Sequence, residues 1–140
     1  LAWSERRFRS FAGVLKKNGF SCVYHYHDWL ANAGSSETED SRLAQWLTTL
    51  PKPVCVFACN DDRGVNVLEA CKIAGLTVPE EVAVLGVDND DLLCDLSSPP
   101  LSSIELNFER GGFEAAAIAW PMTRVESTRE SIIWRRFSAP

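Results

Sequence analysis

The sequence predicts an α/β fold, a three-layer arrangement in which a parallel sheet carries helices on both faces. Segments with apolar residues at helical spacing alternate along the chain with short hydrophobic runs. Two of those runs, VCVFA from Val54 and VAVLGV from Val82, are continuously apolar, as is typical of strands buried on both faces of a parallel sheet. This alternation predicts βαβ units, in which ligands bind at the carboxyl ends of the strands.

Composition and charge narrow the function classes. The 140 residues fit one domain, and a content of 46% hydrophobic and 24% charged residues is ordinary for a globular protein. The net charge of −5 gives no reason to expect nucleic-acid binding by this segment, and no apolar run of about 18 residues predicts a membrane-spanning helix. No signal-peptide pattern opens the chain, and LAWSERRFRSF looks like the inside of a domain, so we expect a fragment.

The first half should contain two helices and a strand. The first helix is expected to begin after an N-cap at Ser4 and to end at Asn18-Gly19. SCVYHYH, from Ser21, predicts a strand, and the polar stretch 32–40 predicts a loop. A second helix should follow and end at Pro51. Its apolar face consists of Leu43, Trp46, Leu47 and Leu50.

The second half should contain three strands and two helices. A helix is expected from Asp61 or Asp62 to about Ala74, between the two continuously apolar strands. A long loop, 88–100, should lead to the short strand LSSIEL, and an Ala-rich helix is expected over 108–120.

Polar residues collect where the predicted strands end. Asn60, Asp61, Asp62 and Asp28 each follow an apolar run, and 88–91 is all Asp and Asn. Three interpretations remain open: caps for the next helix, an acidic magnesium site of the receiver-domain type, or recognition of sugar hydroxyls by carboxylates, amides and an arginine. A receiver pocket also needs a lysine after a strand end, and none stands there.

Other chemistry has little support. The five cysteines, an odd number, match no zinc or redox spacing, so we expect free thiols in small buried positions and a reducing, cytoplasmic compartment. His25 and His27 would share one strand face without an evident third metal ligand. No phosphate-binding loop or nucleophile elbow occurs. We expect no enzyme and no catalytic residue, and we also expect no metal and no cofactor.

Three stretches carry a family resemblance: RRFRSF, FACNDDRGVNVLEACKIAGLTVPEEVAVLGVDNDD and SSPPLSSIELNFERGGFEAA. From about Trp3 to Ala119 the chain resembles the effector-binding domain of lac-repressor-type transcription regulators. GVDNDDL followed by LSSPPLSSIELN looks closest to xylose operon regulators, whose sensor domain is joined to an AraC-type DNA-binding domain. The resemblance implies a periplasmic-binding-protein-like core of type I, with this chain mainly its C-terminal subdomain, incomplete.

The resemblance also implies site residues. Arg7 in RRFRSF, Asn60 in CNDD and Asp88 in GVDN match the arginine, amide and carboxylate with which the family binds sugar hydroxyls. Ser10 stands where the family usually has glycine. Trp3 could cover a sugar ring, but we favour a hydrophobic staple that fixes the start of the helix.

The function implied is that of a sensor fragment of a cytoplasmic, sugar-responsive transcription regulator. Its effector would be xylose or a related pentose, and it would bind no membrane, reach DNA only through a domain absent from this chain, and come from a homodimeric parent protein. Residues 1–119 would be the partial sensor domain, mainly its C-terminal subdomain, and 120–140 a divergent or truncated C-terminal segment. A periplasmic sugar-binding protein of a transporter is the alternative, followed by a small magnesium-dependent enzyme or receiver domain.

Overall fold

A computed structural model describes residues 2–25 and 39–122 of the chain. The elements are α1 (Ala2–Lys17), α2 (Glu39–Thr49), β1 (Val54–Phe57), α3 (Asp61–Ala74), β2 (Val82–Asp88), α4 (Asp91–Leu96), β3 (Ser102–Glu105) and α5 (Phe108–Met122). The chain divides into two compact units, Leu1–Leu106 and Asn107–Pro140. Helix α5 belongs to the second unit, and all other elements belong to the first.

The first unit is built on a three-stranded parallel sheet with the strand order β1-β2-β3. Val54 pairs with Val82, and Leu85 pairs with Ser102, so the carboxyl ends of all three strands lie at one edge. This parallel sheet confirms the predicted fold class.

One face of the sheet is covered by α2 and α3. The hydrophobic core on this face consists of Leu43, Ala44, Leu47, Val67, Leu68, Ala70, Cys71, Val82, Val84, Cys94 and Leu101. Helix α3 begins at the N-cap Asn60 and ends at Gly75, whose φ of 67° is the left-handed conformation that glycine adopts readily. Both ends of α3 are therefore specified locally, and its apolar side is specified by the core.

The opposite face is covered by α1. Strand register places Phe57 beside Leu85, on the face away from Val56 and Val84. The ring of Phe11 stacks on the ring of Phe57 with their centroids 4.5 Å apart. Helices thus lie on both faces of the sheet, as predicted, although none of the residues of α1 is fully buried.

Two predicted elements differ from the structure. Residues 21–25 form no strand, and 26–27 lie outside the described residues. The side chains of this segment make ring contacts instead: Tyr24 packs on Phe8 at 5.1 Å and His25 packs on Trp46 at 4.9 Å. The predicted loop 88–100 contains the short helix α4. Its start was missed because the Asp90 cap stands within a run of similar polar residues.

The first helix also begins earlier than predicted, at Ala2 rather than after Ser4. Among the residues that the structure describes, no helix is long and apolar enough to cross a membrane.

Candidate functional site

Arg7 of α1 reaches the edge of the sheet where the strands end. Its Nη2 donates to Oδ1 of Asp88 at 2.9 Å, and its Nη1 donates to the backbone carbonyl of Cys59. The side chains of Arg7 and Asp88 are 26% and 37% exposed, so the ion pair is partly buried and open on one side. The guanidinium therefore joins α1 to the ends of β1 and β2, and two of the three predicted site residues are in direct contact.

Asn60, the third predicted residue, follows Cys59 and serves as the N-cap of α3. Its Oδ1 accepts a hydrogen bond from the backbone N–H of Arg63, and its Nδ2 donates to Oδ2 of Asp62 at 3.2 Å. This is the capping interpretation of the polar cluster. Arg7 donates to the carbonyl of Cys59, the residue directly before Asn60, so the backbone of Asn60 lies near the Arg7–Asp88 pair.

The prediction that Asp61 or Asp62 contributes to a helix N-terminus is confirmed, since both lie in the first turn of α3. Negative charge there is favoured by the helix dipole. Their roles differ, however, because Asp62 is exposed and Asp61 is buried.

Asp88 has an unusual backbone. Its φ is 112°, and Asn89 follows with a φ of 54°. Consecutive non-glycine residues at positive φ cost roughly 1–3 kcal/mol each and persist only where surrounding contacts hold them. This costly turn positions the Asp88 carboxylate towards Arg7, which suggests a functional reason for it.

Trp3 lies one helical turn before Arg7. The Arg7 guanidinium is 4.9 Å from the centroid of the Trp3 ring, at the distance of a cation–π contact. Trp3 is 42% exposed. The predicted staple is wrong, because Trp3 stands inside α1 rather than before its N-cap.

Asp61 was not predicted as a structural centre, yet it is only 2% exposed. Its Oδ2 accepts from the backbone N–H of Asp90 at 2.7 Å, and its Oδ1 accepts from the hydroxyl of Ser103 at 2.5 Å. Sequence reasoning grouped Asp61 with its polar neighbours. The glycine of GVD was the sequence feature that could have indicated a close approach at this position. A Cβ at Gly86 would lie 2.3 Å from Oδ1 of Asp61, so only glycine leaves room for this carboxylate.

The acidic residues after Asp88 have separate environments. Asp90 caps α4 through hydrogen bonds from the backbone N–H groups of Leu92 and Leu93. Asp91 is exposed in the first turn of α4. Within residues 2–25 and 39–122, no three acidic, histidine or cysteine side chains are placed to hold a metal ion. Asp28 and His27 lie outside the described residues.

All five cysteines are free thiols, as predicted, but their expected burial is only partly correct. Cys71 and Cys94 are buried, whereas Cys22 and Cys55 are exposed. Cys22 lies in the segment that forms no strand, and Cys55 lies on the sheet face that α1 covers incompletely. Cys59 is intermediate, and its burial raises the pKa of its thiol, against the opposing effect of the Arg63 guanidinium.

The polar groups at this edge can both donate and accept hydrogen bonds. A guanidinium offers donors in a planar fork, a carboxylate accepts, and a side-chain amide does both. Arg7 of α1 contacts Asp88 at the end of β2, and Asn60 stands at the start of α3.

Comparison with known proteins identifies the family. The family model of the periplasmic binding protein-like domain matches residues 1–134. The xylose operon regulatory protein of Haemophilus influenzae is 34% identical over 83% of this chain and 30% of that protein. The HTH-type transcriptional repressor PurR of Pasteurella multocida is 30% identical over 93% of this chain and 38% of that protein.

A solved structure agrees with these matches. The structure of the xylose-binding transcription activator xylR superposes with a TM-score of 0.69 and 27% identity, covering 92% of this chain and 34% of that chain. The chain thus spans about a third of the length of the proteins it matches. The chain belongs to the periplasmic binding protein-like domain family, in the form that serves as the effector-binding domain of transcription regulators.

Proposed function

We propose that this segment is the C-terminal half of a pentose sensor in a transcription regulator, with D-xylose as its effector. The observation that carries the proposal is the Arg7–Asp88 pair, held at the carboxyl edge of the sheet by a positive-φ turn. The choice of pentose rests on the relatives named for xylose. Asn60, beside this pair, supplies the third sugar contact.

The geometry suggests how a sugar would bind. Arg7 and Asp88 satisfy one another through their hydrogen bond. A vicinal pair of hydroxyls can accept from the guanidinium and donate to the carboxylate, so it can enter between them without leaving either group unpaired. The other wall of the cleft would come from an N-terminal subdomain. Sugar would stabilise one arrangement of the two subdomains and so bias an AraC-type DNA-binding domain.

Cellular setting and assembly follow from the same proposal. A regulator that acts on DNA works in the cytoplasm, and five free thiols suit a reducing compartment.

Leu92 and Leu96 of α4 are 71% and 80% exposed, and they border a groove that also contains Val65. Exposed apolar side chains of this kind support a homodimeric parent protein. The regulator relatives favour a sensor over an enzyme or a transporter component.

The test uses the complete protein, meaning the regulator that carries this segment together with its remaining domains. Asp88→Ala removes the charged acceptor and should cost about 1.5–3 kcal/mol of binding free energy, or roughly 10- to 150-fold in D-xylose affinity. Asp91→Ala is the matched control, since its carboxylate is exposed and only three positions away.

Isothermal titration calorimetry with D-xylose, L-arabinose and D-ribose measures both variants. Equal, small losses for the two would reject Asp88 as a sugar ligand. Preference for another pentose over D-xylose would reject the effector but retain the site.

A further inference from the structure

We propose that Asp61 and Ser103 are positioning residues for sugar binding: they hold the turn at residues 88–90 and thereby aim the Asp88 carboxylate. The inference rests on the proposed function, since it assigns residues that act through Asp88. Neither side chain touches Arg7 in the structure, and neither was predicted as a site residue.

The hydrogen bonds form a continuous path through this turn. The hydroxyl of Ser103 donates to Oδ1 of Asp61 and accepts from the backbone N–H of Asn89 at 3.1 Å. Oδ2 of Asp61 accepts from the next backbone N–H, that of Asp90, at 2.7 Å. Two consecutive N–H groups of the turn are therefore held by two side chains that hydrogen-bond each other.

The same path connects segments from all three strands. Asp61 starts the helix after β1, residues 88–90 are the last residue of β2 and the two that follow it, and Ser103 is the second residue of β3. The turn contains the two non-glycine residues at positive φ, whose conformation must be held by external contacts. The Asp61–Ser103 pair provides these contacts directly behind Asp88.

Burial makes the arrangement rigid. Asp61 is 2% exposed, so loss of a hydrogen bond to its carboxylate cannot be compensated freely by solvent. The carboxylate also lies over Gly86, two residues before Asp88 in the same strand, where any side chain would collide with it. Asp61 is thus confined on the sheet side by β2 and on the loop side by Asp90.

The decisive variant is Ser103→Ala in the complete protein, measured by calorimetry with D-xylose. Removing the hydroxyl frees the Asn89 N–H and releases the turn, so affinity should fall about 10-fold even though Ser103 does not contact the sugar. Ser103→Thr keeps the hydroxyl and should stay within about 2-fold of the parent. Ser102→Ala, at the preceding exposed position in β3, is the matched control and should leave affinity unchanged.

A double-mutant cycle separates positioning from general destabilisation. In an Asp88→Ala background, Ser103→Ala should change affinity by less than about 2-fold, because its effect passes through the missing carboxylate. A simple loss of stability would instead reduce affinity equally in both backgrounds, and that result would overturn the inference.

The two proposals fail in different ways. If Asp88→Ala weakens D-xylose binding but Ser103→Ala does not, the positioning role is wrong and the sugar site stands. If Asp88→Ala has no effect, the sugar site is wrong and the positioning role falls with it. Asp61→Asn gives a second check: its amide cannot accept from both Ser103 and Asp90, so it too should weaken binding without contacting the sugar.

Discussion

The two faces of the sheet are covered in different ways. On the face of α2 and α3, Leu47, Leu68 and Val82 are at most 2% exposed and belong to one continuous core. On the face of α1, no helix residue is fully buried, and the described contacts to the sheet are the Phe11–Phe57 stack and the hydrogen bonds of Arg7.

This difference indicates that the two faces contribute differently to folding stability. Buried apolar area supplies most of the folding free energy, so the α2/α3 face should determine whether the unit folds. The α1 face carries Arg7 on a helix with little buried surface, where local opening costs the least. Under the proposed function, sugar exchange would then involve the α1 face without disturbing the core on the other.

The largest effect is expected from the core of the densely packed face. Leu68→Ala removes a nearly fully buried side chain and should lower the free energy of unfolding of the complete protein by about 2–5 kcal/mol. Val14→Ala, on a side chain of α1 that is 60% exposed, is the control and should stay within about 0.5 kcal/mol. Chemical denaturation measures both, and similar losses would contradict the contrast between the faces.

A smaller, local effect is expected at the ring stack. Phe11→Leu keeps much of the apolar volume but loses the stacking with Phe57, which is worth about 0.5–1.5 kcal/mol. Hydrogen exchange should therefore accelerate in the amides of α1 and remain unchanged in those of α3. Equal acceleration in both helices would mean that the faces open together.

The smallest effect is expected at the turn before β2, at the opposite end of that strand from Asp88. The N–H and hydroxyl of Thr77 donate to Glu81 and lower the pKa of that carboxyl below its usual 4.5. A carboxyl with a lowered folded-state pKa adds stability above its unfolded pKa and loses it as pH falls through the folded value. Glu81→Gln should slightly reduce the loss of stability on acidification, measured by denaturation at several pH values.

The matched control is Glu80→Gln, one residue earlier. If both variants alter the acid profile equally, the Thr77 hydrogen bonds are not the cause. D-xylose affinity at neutral pH should be unchanged in both, since neither residue takes part in the contacts of the Arg7–Asp88 pair.

The elements that sequence analysis predicted well are those with strong local and tertiary signals. The runs from Val54 and Val82 are neighbouring parallel strands as predicted, although β1 is less buried than expected because Cys55 is exposed, and α3 has a cap at each end. The segment from Ser21 has a strand-like composition, but its described residues pair with no strand and their rings find aromatic partners instead. A strand-like sequence pattern forms a β strand only where a second strand lies beside it to accept and donate the backbone hydrogen bonds.

The site shows the same division. Motif resemblance singled out Arg7 and Asp88, and the structure brings them into contact. The hydrogen bond between Ser103 and Asp61, which holds the turn after β2, was not predicted. The two residues are 42 positions apart, and no local sequence pattern links them. Long-range polar pairs become visible only when the strand register is known.

The positive φ of Asp88 also restricts how this position can vary during evolution. Its φ of 112° lies beyond the left-handed helical region, and of all residues glycine enters such conformations at the lowest cost. The backbone therefore admits few alternatives to this aspartate, and β-branched residues such as valine, isoleucine and threonine are disfavoured there. Under the proposed function, a change in the sugar that is bound would then arise from the residues around this turn rather than from Asp88 itself.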